Sequence, residues 1–381
     1  MRMGIFGGSF DPVHTEHVRL AESALRGLRL DRLLIMPAHT PPHKRGKRLS
    51  PDGDRLAMCR LAFRGLPGAE VSDYEAGRGG TSYTYLTCRH FREQFPEAEL
   101  FWLVGTDMLR DFPTWRQPED ILKNATLAVC ARAERKDWAE REQAAFFARF
   151  GKRFEIIGYE GKDVSSTRIR VRAAAGEDIS PYVGEEVAAY VRERGLYEIP
   201  GAAKALSLEK PSRREHSLRV AYLAAERAPA FGVDEKRAVT AALFHDCAKN
   251  LPPDSPLLSG FVPPPGVPGP VLHQYAGAYL ARKMGVTDEE VLDAIRFHTS
   301  GRPDMTVLGK LIFLCDLLEE GRDYEGVEDL RALFAGGREH LDECMEAALK
   351  DTLAYLRKKG GEIYPLTQAA YEFLSEGKKT E

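Results

Sequence analysis

Two sets of residues have types and spacings suited to phosphate chemistry. The first lies near the amino end, in Gly7-Gly8-Ser9-Phe10-Asp11-Pro12-Val13-His14-Thr15-Glu16-His17. Adjacent glycines let the backbone approach a ligand closely, and a helix starting just after them presents unpaired N–H groups to an anion. His14 and His17, three residues apart, share one face of the first helical turn. Two imidazoles there can donate to phosphate oxygens and stabilise charge that grows during phosphoryl transfer. The turn is neither a Gly-Lys-Ser/Thr phosphate loop nor Gly-x-Gly-x-x-Gly. The second set is His216, His245-Asp246, His273, His298 and Asp316, on or beside separate expected helices, and it takes up four of the five histidines in its half of the chain. Neutral imidazoles and carboxylates are ligands for iron, manganese or zinc, and helical bundles build such sites from facing helices. His245 and Asp246 are adjacent and cannot share one helix face. The pair therefore suits a metal against the side of a helix, or an aspartate bridging two ions. Taken singly, each residue has a plainer explanation: exposed helix histidines after a glycine turn, or a core histidine with its hydrogen bonds satisfied.

The elements that must position these residues follow from hydropathy patterning. Apolar runs at 3–6, 33–36, 100–104, 127–131 and 154–157 read as strands buried on both faces, alternating with helical patterns at 14–28, 53–64, 81–95 and 138–150. Such alternation implies a parallel sheet covered by helices. Two further helices are expected at 166–175 and 184–194. Beyond about residue 211 strand signals cease, and helical patterns occupy 213–228, 235–248, 271–284, 288–298, 306–319 and 338–358. Eight of the 23 prolines fall between Pro252 and Pro270, which predicts an irregular loop. The expected architecture is an α/β domain over 1–199, a linker over 200–211, and an all-α domain over 212–377.

The chain of 381 residues is long enough for two such domains. Its 54 basic and 57 acidic residues give a net charge of −3, with no bulk drive toward nucleic acid or anionic lipid. No secretion signal and no apolar run of transmembrane length are apparent, so no membrane association is expected. Six scattered cysteines without Cys-x-x-Cys argue against a disulfide framework and fit a reducing cytoplasm.

Gly-Gly-Ser-Phe-Asp-Pro-x-His-x-x-His, together with Ser165-Ser166-Thr167-Arg168-Ile169-Arg170, resembles the Rossmann-like nucleotidyltransferase superfamily. Within it, Pro37-Ala38-His39-Thr40-Pro41-Pro42-His43-Lys44, Ser82-Tyr83-Thr84 and Gly105-Thr106-Asp107 with Trp115 resemble bacterial nicotinate-nucleotide adenylyltransferases. The resemblance implies joining nicotinate mononucleotide to the α-phosphate of ATP, with release of pyrophosphate. Under it, Gly7, Gly8, Ser9 and Phe10 line the ATP site and His14 and His17 hold its phosphates. Ser165, Ser166, Thr167 and Arg170 grip the β- and γ-phosphates. Lys44 sits on a loop closing over the mononucleotide, Trp115 stacks on the pyridine ring, and Thr84 and Asp107 bind substrate. Mg²⁺ arrives with the ATP. Glu16 stands where the family usually has glycine, and its carboxylate is expected to face solvent.

Arg213-Arg214-Glu215-His216-Ser217, Leu243-Phe244-His245-Asp246-Cys247-Ala248-Lys249, Leu272-His273, Phe297-His298-Thr299-Ser300-Gly301 and Leu314-Cys315-Asp316 resemble the HD phosphohydrolases, in particular the symmetrical diadenosine tetraphosphate hydrolases. That implies two metal ions, commonly iron, held by His216, His245, Asp246, His273, His298 and Asp316, and cleavage of diadenosine tetraphosphate to two ADP. Lys249 is expected on a phosphate oxygen, with Arg302 and Arg322 as further contacts. Cys247 and Gln274-Tyr275 depart from the family pattern beside the metal ligands. The competing readings are a different nucleotidyltransferase joined to another HD phosphohydrolase, and an HD domain that senses nucleotides. Oligomeric state is not legible.

Overall fold

Uninterrupted apolar runs such as Leu33-Leu34-Ile35-Met36, every one of them at most 1% exposed, have to be covered on both faces. A parallel sheet between helices meets that need. In the computed structural model, which describes residues 1–42, 49–132 and 136–377, six strands form this sheet. They are β1 (Arg2–Gly8), β2 (Arg32–Pro37), β3 (Ala69–Val71), β4 (Glu99–Gly105), β5 (Thr126–Arg132) and β6 (Glu155–Tyr159). Their order is β3-β2-β1-β4-β5-β6, with every neighbouring pair parallel. The connection reverses direction at β1, so a crevice opens beyond the carboxyl ends of β1 and β4, where ligands of open α/β sheets bind.

β3 has no counterpart among the expected strands. It is only three residues long, Ala-Glu-Val, half-buried at the sheet edge, and pairs with Leu33–Ile35. The expected helix at 81–95 is Thr84–Gln94, and a short helix, Tyr74–Arg78, precedes it.

The chain divides into two units, Met1–Ile169 with Asp178–Leu196, and Arg170–Glu177 with Tyr197–Glu381. The second unit is helical. Its longer helices are Pro211–Phe231, Glu235–Phe244, Gly269–Lys283, Glu289–Arg296, Val307–Leu318, Val327–Ala335, Leu341–Lys358 and Pro365–Gly377. Asp234, Asp288 and Thr306 cap three of them by accepting first-turn N–H groups. Leu243, Phe244, Ile295, Leu311, Phe313 and Leu349 are among the residues of its core. Val327–Ala335 and Pro365–Gly377 were not expected. Residues 200–211, read from the sequence as a linker, contain the helix Ala202–Ser207, whose Ala202, Ala205 and Leu206 are buried in the helical core. Val171, Ala174 and Ala175 pack into the same core, so residues 170–177 belong with it rather than with the sheet. Among the described residues no helix is long and apolar enough to cross a membrane, and all six cysteines are free and buried.

Candidate functional site

The glycine turn leaves the end of β1. A Cβ on Gly7 would stand 2.7 Å from the Trp102 ring, so only glycine fits there without displacing the core. Phe10 follows in the left-handed region at φ 48° with its ring buried. The helix Thr15–Gly27 then begins at His14. The His14 N–H donates to His17 Nδ1 at 3.1 Å, and the two rings stack with centroids 3.6 Å apart. A neutral His17 with Nδ1 accepting carries its proton on Nε2. His14 is buried, and burial pushes its pKa down to about 4, so it is a neutral imidazole at physiological pH.

Glu16 does not face solvent. It is buried, and its Oε2 accepts the Lys162 N–H at 2.9 Å while Oε1 lies 3.4 Å from Arg19. The carboxylate secures the backbone that leads into Ser165-Ser166-Thr167. Ser166 Oγ donates to the Pro12 carbonyl at 2.9 Å, which brings that helix start against the glycine turn. Arg170 Nε donates to Glu235 Oε1 at 2.8 Å, within the same unit.

The neighbouring strand ends complete this side. Ala38 N–H donates to the Gly8 carbonyl at 2.8 Å, and His39 N–H donates to Ser82 Oγ at 3.0 Å. Thr84 opens the helix after Tyr83, and Asp107 lies in the first turn after β4. Trp115 is half-buried against Phe112, with ring centroids 5.3 Å apart. Lys44 lies outside the described residues.

The second cluster depends on where one helix stops. The pattern predicts a helix over 235–248, whereas the helix ends at Phe244 and residues 245–250 form turns. There His245, the helix C-cap, still at φ −55° and ψ −42°, and Asp246 both turn into one cluster with His216. His216 comes from Pro211–Phe231, His273 from Gly269–Lys283 and Asp316 from Val307–Leu318, while His298 sits two residues beyond Glu289–Arg296. Three rings are anchored alike: Nδ1 of His245, His273 and His298 meets the carbonyl three residues earlier, at 2.7, 3.0 and 2.7 Å. This fixes the tautomer and sends each Nε2 toward Asp246, at 3.6, 3.2 and 3.4 Å respectively. His216 Nε2 lies 2.9 Å from Asp316 Oδ1.

Three groups of three donors, His216/His245/Asp246, His245/His298/Asp316 and Asp246/His273/His298, have ligand atoms within 4.8 Å of one another. All the donors are nitrogen or carboxylate oxygen, and burial pushes His245 and His273 down to about 4, keeping them neutral. Burial works to raise Asp246 and Asp316, but hydrogen bonds and the charges around them hold both well below the carboxylate range. Neutral imidazoles with ionised carboxylates are a divalent-metal donor set, and the residues fit such a centre.

Basic groups ring the cluster. Arg213 Nη1 lies 2.9 Å from Asp246, Arg322 Nη2 2.6 Å from Asp316, and Lys249 Nζ 3.0 Å from His273 Nε2. Arg302 instead lies 3.5 Å from Asp293. Gln274 is buried and accepts the N–H groups of Thr299 and Ser300, each at 3.1 Å, which steadies the turn carrying His298. Cys247 donates its S–H to the Gly277 carbonyl at 3.8 Å. Both departures from the family pattern thus have packing roles.

Glu319 was missed. Its Oε1 takes His216 Nδ1 at 3.1 Å and its Oε2 takes Arg219 Nε at 2.6 Å. Burial raises its carboxyl, yet the bonds from His216, Arg219 and the Gly321 N–H prevail and hold it at about 2. Its position three residues after Asp316, at a helix end, was the available signal.

Residues 5–172 match the cytidylyltransferase-like family model, and residues 213–321 match the HD domain model. A Mycoplasma pneumoniae protein named probable nicotinate-nucleotide adenylyltransferase/Ap4A hydrolase is 32% identical over 362 residues, spanning 93% of this chain and 98% of its own. A Mycoplasma genitalium protein of the same name is 30% identical over 328 residues, spanning 84% and 88%. A Gloeobacter violaceus protein named probable nicotinate-nucleotide adenylyltransferase is 38% identical over 206 residues, 53% of this chain and 98% of its own.

Two outcomes are expected from this geometry. Unfolding exposes His14, which then binds a proton near its ordinary value of 6.5, whereas the folded group protonates only near 4. Stability from this group is complete above about pH 6.5 and lost as pH falls toward 4, roughly 3 kcal/mol in all. Urea unfolding of the first unit can be followed by the fluorescence of Trp102, Trp115 and Trp138, all of which lie in it. Between pH 7 and pH 5, His14→Asn is expected to lose about 2 kcal/mol less stability than the unsubstituted protein. In the second unit, Glu319→Ala is expected to weaken divalent-metal affinity about 10- to 100-fold, read as metal content after equilibration with a chelator. Unchanged metal retention would refute the anchoring role.

Proposed function

Because the chain belongs to the family that joins a cytidylyltransferase-like domain to an HD domain, as the two Mycoplasma proteins do, we propose that it is a bifunctional nucleotide enzyme. Its first unit, Met1–Ile169 with Asp178–Leu196, adenylylates nicotinate mononucleotide with ATP, and its second, Arg170–Glu177 with Tyr197–Glu381, hydrolyses diadenosine tetraphosphate to two ADP. The observation that carries the reading is the coexistence in one chain of the glycine turn with its stacked histidines and the six-residue His/Asp cluster.

In the first reaction a phosphate oxygen of the mononucleotide forms a bond to the α-phosphorus of ATP as the bond to the β-phosphate oxygen breaks. The nucleophile is already anionic, so no general base is needed and alignment with charge stabilisation is the main task. Gly7, Gly8, Ser9 and Phe10 admit the triphosphate to the backbone. His17 donates from Nε2, and neutral His14 supports it from beneath. The start of the helix at Ser165, Ser166 and Thr167 offers N–H groups to the leaving pyrophosphate. Lys44, Thr84, Asp107 and Trp115 are assigned to the mononucleotide side, and Mg²⁺ accompanies ATP. Arg170, which pairs with Glu235, is assigned with Ser165, Ser166 and Thr167 to the β- and γ-phosphates.

For the second reaction His216, His245, Asp246, His273, His298 and Asp316 would hold the metal centre, which we assign as a di-iron pair, with Asp246, His245 and His298 each lying in two of the three donor groups. Bound cations there offset the charge of a phosphate chain and make water more acidic. Lys249, Arg213 and Arg322 are close enough to the cluster to pair with non-bridging phosphate oxygens. Net charge −3 favours small-molecule substrates over nucleic acid, and the six free thiols support a cytoplasmic setting.

Separable sites give a direct test. His17→Ala is expected to lower pyrophosphate release from ATP and nicotinate mononucleotide at least 100-fold while ADP release from diadenosine tetraphosphate stays within twofold. Asp246→Ala is expected to do the reverse and to lose bound metal. Equal loss of both activities in a folded variant would contradict the assignment. Faster turnover of nicotinamide mononucleotide than of the acid would overturn the proposed substrate.

A further inference from the structure

Arg55 is the largest fully buried side chain, 1% exposed, and neither the family motifs nor the reactions above assign it a role. A guanidinium cannot shed its charge, so it persists in the interior only if its donors are met. Nε donates to the Ser50 carbonyl at 3.0 Å, Nη1 to the Ser9 carbonyl at 2.8 Å, and Nη2 reaches toward the His39 carbonyl at 3.5 Å. Nη2 also pairs with Asp52 Oδ1, while Asp52 Oδ2 meets His39 Nδ1.

These acceptors come from separate segments. β1 and β2 pair as far as Gly8 and Pro37, and the Ala38 N–H still reaches the Gly8 carbonyl. One residue further the ladder stops, and Ser9 and His39 both turn their carbonyls to the same guanidinium. Arg55 therefore acts as an extra rung that binds the glycine turn to the loop after β2. Ser50, on the far side of that loop, is held twice: its carbonyl by Arg55 and its N–H by Asp11 Oδ2 at 3.3 Å. His39 is fixed at its N–H by Ser82, near its carbonyl by Arg55, and at Nδ1 by Asp52, so a ligand at this edge meets Nε2.

We propose that Arg55 is a positioning residue of the adenylyl-transfer site, setting the distance between the triphosphate turn (Ser9) and the mononucleotide loop (His39, Ser50), with Asp52 transmitting its hold to the His39 ring. The inference rests on the adenylyltransferase reading. In-line attack needs the two substrates aligned to a fraction of an ångström, and a shift of about 1 Å costs about 100-fold in rate. Loss of the guanidinium therefore acts on kcat more than on KM, because each segment can still bind its own substrate.

The full-length protein is first assayed for pyrophosphate release from ATP and nicotinate mononucleotide; absence of that activity rejects the underlying reading, not the role of Arg55 within it. With activity present, Arg55→Ala is expected to lower kcat about 30- to 100-fold, to change either KM less than about threefold, and to recover at least fivefold in rate with millimolar guanidinium chloride. Arg55→Lys, which cannot span three segments, is expected to remain impaired. Both variants should keep the wild-type tryptophan emission. A kcat within twofold of wild type, or a loss carried by KM alone, overturns the proposal, as does failure of guanidinium to restore any rate in a folded Arg55→Ala. If the Arg55 variants do not fold, Asp52→Asn decides, since it leaves the buried cation in place: at least a fivefold fall in kcat supports the proposal, and an unchanged kcat overturns it.

Discussion

Charge taken out of water has to be matched inside the protein, and both units are organised around groups that meet this need. In the helical unit the ionised Asp246, Asp316 and Glu319 are surrounded by imidazoles and by Arg213, Arg219 and Arg322. In the sheet unit the same rule operates through single buried ions. Arg55 gathers carbonyls and Asp52, and Glu16 takes a backbone N–H. Each of these ions spans segments distant in sequence. A buried ion with fixed partners tolerates little displacement, so wherever one lies the backbone around it is fixed as well.

Backbone position is what the two sites require, for different reasons. The glycine turn presents main-chain N–H groups and a stacked pair of rings, and its geometry is set by what lies around it: Trp102 against Gly7, the Phe10 ring, and the Ser166 bond to Pro12. The metal-type cluster works through side chains, and there the backbone supplies the orientation. A carbonyl three residues earlier holds Nδ1 of His245, His273 and His298 alike, which directs three Nε2 atoms to one carboxylate. Glu319 performs that service for His216, where the helix offers no free carbonyl.

Much of this was legible in the sequence wherever a residue type carries its own chemistry. Histidines spaced along separate helical patterns announce a shared site, because few other uses bring so many imidazoles together. Apolar runs announce buried parallel strands. What escaped depends on tertiary partners. β3 is half-buried and three residues long, so it carries no periodicity. The helix ending at Phe244 continues a good helical pattern, and only the inward turn of His245 and Asp246 marks its stop. Glu16 was expected outside because a carboxylate near phosphate is unfavourable; the Lys162 N–H that turns it aside lies 146 residues away. The partner of Arg170, Glu235, lies 65 residues on and carries no local signal. Arg55 sits in an ordinary amphipathic pattern with nothing to distinguish it from a surface arginine.

The two sites also differ in the sign of the charge they bring to phosphate, and this fits their chemistry. Adenylyl transfer begins with an anionic nucleophile and ends with an anionic leaving group, so the site needs donors that follow charge without fixing it too tightly. Backbone N–H groups and the buried, neutral ring of His14 suit that need. Hydrolysis of a polyphosphate has the opposite difficulty: water is a poor nucleophile and the chain repels its conjugate base. A cluster of acids that concentrates cations, flanked by Arg213, Lys249 and Arg322, answers that difficulty. Exchanging the devices would fail in both directions, since acids at the glycine turn would repel ATP and neutral rings alone would not activate water. Glu16, where the family usually has glycine, has its charge met by the Lys162 N–H and by Arg19.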